Sequence, residues 1–187
     1  NSVVLKLAGI TRATRDPVNG VIVRDPKTGE PTGHLKESAQ GLIDGVLPPV
    51  TIEHRRAALR AAVTEANRLG VTSIQNAGTS LDDMALFDEA KQSGALSVRA
   101  YLATDGEPGL TEADVDKMDV AWKQYGDDPT MRTGIVKLFA DGVIESQTAA
   151  MLAPYQNDRS AGAPNLTAED LNRVVAMLDR RGLQVQI

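Results

Sequence analysis

From Thr51 onward the chain repeats one phrase: a hydroxyl residue that caps a helix, an amphipathic run, a glycine stop and a short apolar strand. Thr51 opens a run in which Leu59, Ala62, Ala66 and Leu69 recur at three- and four-residue spacing, and Gly70 supplies a left-handed stop. The strand VTSIQ follows at 71–75. Ser80 with Asp83 resembles a capping box ahead of Leu81, Met84, Phe87 and Ala90, closed by Gly94 and followed by a strand over 96–103. Thr111 with Asp114 leads through Val115, Met118 and Trp122 to Gly126, after which comes a strand containing Lys137. Thr167 with Asp170 leads through Leu171, Val174, Val175 and Leu178 to Gly182, where LQVQI begins.

Four strands alternating with four capped helices predict an α/β fold with right-handed parallel crossovers. Their spacing is compatible with a partial (β/α)8 barrel of TIM type. Such a barrel typically takes about 250 residues, so these elements supply roughly half of one. A doubly wound sheet is the rival. No GxGxxG follows any strand and no Walker sequence is present, which speaks against its nucleotide-binding versions.

The stretch TGIVKLFADGVIES (133–146) carries one cation into an apolar strand and then opens into an acidic loop. Alternation puts Ile135, Lys137, Phe139 and Asp141 on one face and Val136, Leu138 and Ala140 on the other, the pattern of a central parallel strand covered on both sides. A buried ammonium without a partner costs several kcal/mol or loses its charge. Either Lys137 pairs with a carboxylate, Asp141 and Glu145 being candidates, or it does chemistry as a nucleophile, a Schiff-base former or a carboxylated ligand. Arg99, Tyr101, Gln184 and Gln186 share the inward parity of Lys137. Asn76, Thr104, Asp105 and Asp141 fall where strands run into loops.

Residues 1–50 lack this rhythm. A short helix ended by Gly9, a β-hairpin of GVIVRD and TGHLKE around PKTGEP, and a helical turn or two over 38–46 form an excursion that serves either as a lid or as packing; the half-barrel occupies 51–187. The net charge of −5 argues against nucleic acid as a partner, and no apolar run approaches the roughly 20 residues of a membrane span. The absence of cysteine excludes thiolate catalysis and disulfides. LQVQI stops in mid-strand at Ile187, which predicts a piece of a longer protein.

NSVVLKLAGIT, EPTGHLKE, LGVTSIQNAG, VKLFADGVIES and RRGLQVQI occur in an order similar to that in the amidohydrolase superfamily, in the amidohydrolase-3 branch containing N-substituted formamide deformylase. The resemblance implies a central piece of a metal-dependent hydrolase on a distorted TIM barrel, cleaving amide- or formamide-type carbon–nitrogen bonds with metal-activated water. It implies one or two divalent ions, commonly zinc, and matches Lys137 to the metal-bridging, often carboxylated lysine. Arg99, Tyr101, Asp141, Glu145 and His34 are the expected substrate-facing groups. His34 and His54 are the only histidines and neither has ligand spacing, so no complete catalytic set lies in this chain and the isolated piece is expected to be inactive, without its metal.

Two other readings stand beside this one: a non-catalytic α/β ligand-binding or assembly module, and a Schiff-base lysine enzyme. The expected partner is a small amide-type molecule in the cytoplasm, with no membrane and no nucleic acid. Uncovered strand edges predict self-association.

Overall fold

The computed structural model describes residues 1–18, 20–126, 128–156 and 159–187. It divides into two compact units: one of residues 1–49 with 141–164, the other of residues 50–140 with 165–187.

In the first unit, helix α1 (Ser2–Leu7) begins at Asn1, whose side chain accepts the Val3 and Val4 amides. Strands β1 (Gly20–Arg24) and β2 (Pro31–Glu37) pair antiparallel as the expected hairpin, and a 3-10 segment (Ser38–Val46) follows. Leu5, Ile10, Ile22 and Ala39 form its small core.

The second unit alternates α2 (Ile52–Arg68), β3 (Ser73–Asn76), α3 (Leu81–Gln92), β4 (Arg99–Gly106), α4 (Glu112–Lys123), β5 (Met131–Leu138), α5 (Ala168–Arg180) and β6 (Gln184–Gln186). All four expected caps form. The hydroxyls of Thr51, Ser80, Thr111 and Thr167 accept the amides of His54, Asp83, Asp114 and Asp170, each satisfying an otherwise orphaned N–H.

The strands lie parallel in the order β3-β4-β5-β6, which is also their order in the chain. A doubly wound sheet reverses direction at a switch point and carries helices on both faces. Here the winding runs one way, and one face takes all four helices. Ile74, Ala100, Leu102, Val136, Leu138 and Val185 of the sheet pack with Val63 of α2, Met84 and Phe87 of α3, Val115 and Trp122 of α4, and Val174 and Leu178 of α5. The doubly wound alternative therefore does not hold for these strands.

The opposite face is polar and concave. The Gln75 amide donates to the Gln186 side-chain oxygen at 3.0 Å, although β3 and β6 are the two outer strands. Three strand spacings in a flat sheet put such residues roughly 14 Å apart with parallel side chains. Only a sheet curled toward that face lets them meet. Gln75 shares a register row with Tyr101, whereas Gln186 shares the row of Lys137 and Asp105, so the contact runs diagonally, as it does when strands tilt across a curved sheet.

Two strand boundaries differ from expectation. β4 begins at Arg99 rather than at residue 96, because the amides of Ala95 and Leu96 bond the Ala90 carbonyl at the end of α3. Leu96 and Val98 are buried as loop residues, and their burial gives the sequence its strand-like look. β5 ends at Leu138, so Phe139 and Asp141 are not part of the strand.

Candidate functional site

β5 brings Lys137 to the concave face near its carboxyl end, between Asp105 on β4 and Gln186 on β6 in one register row. Its ammonium lies 4.9 Å from the centre of the Phe139 ring, a cation–π contact. The side chain is half-buried rather than enclosed between two helix layers, so it carries less desolvation cost than a covered central strand implies. Asp105 is the carboxylate across from it. Burial pushes the Asp105 carboxyl above its ordinary range, and the Lys137 charge works in the opposite direction. The sequence pattern offers Asp141 and Glu145 as candidate partners for the lysine. The register supplies Asp105 instead, a residue expected where the strand runs into its loop and found inside β4.

Arg99 and Tyr101 lie on the same strand as Asp105 but toward its amino end. Six residues separate Arg99 from Asp105, roughly 20 Å at strand rise, so Arg99 is not brought to the Lys137 row. Its guanidinium donates to Ser73 Oγ at 2.9 Å and Thr72 Oγ1 at 3.1 Å. Tyr101 pairs in register with Arg132, whose guanidinium stands 5.8 Å from its ring centre. Arg132 escaped sequence reasoning because simple alternation from Lys137 puts it on the helix side. Between Tyr101 and Ala103 the register slips, with Thr133 and Gly134 opposite Leu102 alone, and Gly134 takes φ 85°. That bulge reverses the parity of β5. Its signal was available: a glycine inside an apolar strand.

The remaining expected residues lie in the first unit. Asp141 accepts the Ala150 amide at 2.9 Å, and Glu145 is exposed in the same loop. Thr148 closes this loop, its hydroxyl accepting the Val143 amide at 2.9 Å and donating to the Glu37 carboxylate at 2.8 Å. Lys36 donates to the Ser146 carbonyl at 3.0 Å. Glu37 at φ 49° and Gln147 at φ 62° are the non-glycine residues with left-handed backbone among those described. Both sit at this clasp, where the contacts offset a strain of about 1–3 kcal/mol per residue. His34 is exposed on β2, and His54 is exposed in the first turn of α2.

A hydrolytic zinc site usually takes about three protein ligands. Among the described residues no three His, Cys, Asp or Glu side chains gather as one. The concave face offers Lys137 and Asp105 side by side, which fits part of a metal site and does not complete one. Among the described residues no helix is long and apolar enough to cross a membrane.

Relatives align along the whole chain. YtcJ of Bacillus subtilis is 33% identical over 193 residues, covering 100% of this chain and 35% of its own length. LONG AFTER FAR-RED 3 of Arabidopsis thaliana is 28% identical, with 33% of its length covered. The exoenzymes regulatory protein AepA of Pectobacterium carotovorum is also 28% identical, with 40% covered. The chain thus spans between a third and two fifths of these relatives. Crystal structures of uncharacterized metal-dependent hydrolases from Pyrococcus horikoshii and Pyrococcus furiosus superpose with TM-scores of 0.61 and 0.62 at 21% and 18% identity, covering 99% of this chain and 35% and 36% of theirs. At that identity the likeness concerns the fold. The amidohydrolase family model matches residues 1–187, and the chain belongs to that family.

Proposed function

We propose that this chain is the part of a metal-dependent hydrolase that supplies one metal ligand, Lys137, in an enzyme cleaving amide- or formamide-type carbon–nitrogen bonds. The observation that carries the reading is the place of Lys137: half-buried, on the concave polar face of a singly wound parallel sheet, near the strand's carboxyl end. In barrels wound this way, chemistry gathers at that end. Membership of the amidohydrolase family supports the same reading.

The closed barrel, the divalent ion with zinc as the expected metal, and the remaining ligands belong to the whole protein. When bound, the metal supplies water of lowered pKa, so that hydroxide is available near neutral pH. Carboxylation by carbon dioxide turns the Lys137 amine into an anionic oxygen donor suited to such a cation. The polar rows of Gln75, Tyr101, Arg132 and Gln186 keep the face wettable, and Ile135, 3% exposed, packs the same face just before Lys137. The 187-residue chain alone, with an incomplete ligand set, is expected to be inactive.

The test is hydrolysis of a panel of formamides and secondary amides by the whole protein, with and without a chelator, in wild type and Lys137→Ala. Chelator-sensitive turnover that disappears in the variant is the expected result. Turnover untouched by both changes contradicts the reading.

A further inference from the structure

We propose that Asp105 determines substrate choice in this site by accepting a hydrogen bond from the N–H of the scissile amide. The inference rests on the hydrolase reading above and adds to it the substrate class: amides that keep a hydrogen on nitrogen.

Three observations place the carboxylate for this role. Asp105 stands in the register row of Lys137, next to the last position of β4, so it shares the face and the end of the sheet where the lysine lies. Its carboxylate is presented to the concave face and accepts no hydrogen bond from any described residue, unlike Asp83, Asp114 and Asp170, which serve helix caps and arginines. The turn after β3 runs close beside it: a Cβ at Gly78 would touch both carboxylate oxygens at 3.5 Å, and glycine keeps that side of the carboxylate clear of a side chain.

An ionised carboxylate only accepts hydrogen bonds, so whatever meets it must donate. A cationic donor brings a second charge whose water must also be stripped away. A neutral N–H donor meets no such penalty. In a carbon–nitrogen bond being hydrolysed, that donor lies on the amine side, and N-methylation removes it. A hydrogen bond to a charged group discriminates by about 10- to 100-fold where water is excluded, and Asp105 is exposed in this chain, so the lower end of that range applies.

The experiment uses the whole protein and matched pairs of formamides, each with its N-methylated counterpart, and compares kcat/KM within each pair for wild type, Asp105→Ala and Asp105→Asn. Metal content is measured on the same samples by inductively coupled plasma mass spectrometry. The wild type is expected to prefer the N–H member by about 10-fold or more. Asp105→Ala is expected to bring the ratio close to one, through KM, with metal content unchanged, and Asp105→Asn, which keeps an acceptor oxygen, to retain part of the preference. An unchanged ratio in Asp105→Ala overturns the inference alone and leaves Asp105 a solvated carboxylate. Loss of metal in Asp105→Ala also overturns it, since the group then serves the ion. A wild type that hydrolyses neither member overturns the hydrolase reading and this inference with it.

Discussion

Thr104 and Trp122 join β4 to the helix that covers it, and replacing Thr104 by Val tests how firmly the face carrying Asp105 is held. The Trp122 indole N–H donates to Thr104 Oγ1 at 3.1 Å, with the two residues 5% and 6% exposed. Valine keeps the shape and removes the acceptor, so the indole N–H is left in an apolar interior. An unsatisfied buried donor costs about 1–3 kcal/mol. Taking about 2 kcal/mol, and about 2–4 °C per kcal/mol for a chain of this length, Thr104→Val should melt about 4–8 °C below wild type. Thr104→Ser keeps the hydroxyl and loses one methyl, about 0.8 kcal/mol. It should therefore fall between the two. Circular dichroism melts give these values, and the double variant Thr104→Val with Trp122→Phe separates polar mismatch from packing. With donor and acceptor both gone, the double variant should lose clearly less than the sum of the single losses. A Thr104→Val protein melting within about 1 °C of wild type, or strict additivity in the double variant, refutes the reasoning.

Gly106→Ala places a Cβ 2.8 Å from both Leu138 Cδ2 and Val136 Cγ1, and overpacking of this kind costs about 1–3 kcal/mol, to be read from denaturant melts. Burial alone raises the Asp83 carboxyl, but its bonds to Arg55 and Ser80 outweigh that and hold it below the ordinary range. Its contribution is therefore present above the unfolded value of about 3.9 and lost as pH falls through the folded one, so the gap in melting temperature between wild type and Asp83→Asn should narrow from about pH 4 downward. A gap that widens there contradicts the assignment. Among the described residues the outer strands β3 and β6 each leave one edge unpaired within the sheet, so the 187-residue chain should self-associate in light scattering, and a strictly monomeric chain contradicts this.

What the sequence made legible was whatever depends on neighbours in the chain. Thr51, Ser80, Thr111 and Thr167 announce their helices because a cap is a local hydrogen bond, and Gly70, Gly94, Gly126 and Gly182 stop them with φ near 70° for equally local reasons. The shared inward parity of Arg99, Tyr101 and Lys137 was readable from alternation, and the register rows place them on one face. Position along the strand was harder. Arg99 faces inward at the amino end of β4, because alternation gives the face and says nothing of depth. Arg132 was hidden by the Gly134 bulge, which alters the count by one residue. In the sequence Asp105 reads only as a loop-edge residue, because its place beside Lys137 depends on how two strands slide past each other. The association of residues 141–164 with the hairpin depends on contacts more than a hundred residues apart, such as Glu37 with Thr148, and no local pattern encodes them.

The central claim is that Lys137 is presented to a concave polar face because it holds a metal. Its most direct test is metal bound per protein chain in the purified whole protein, measured for wild type and Lys137→Ala at equal folded content. A stoichiometric divalent ion in the wild type that is lost from the variant is the predicted result. A variant carrying the full wild-type complement contradicts the claim.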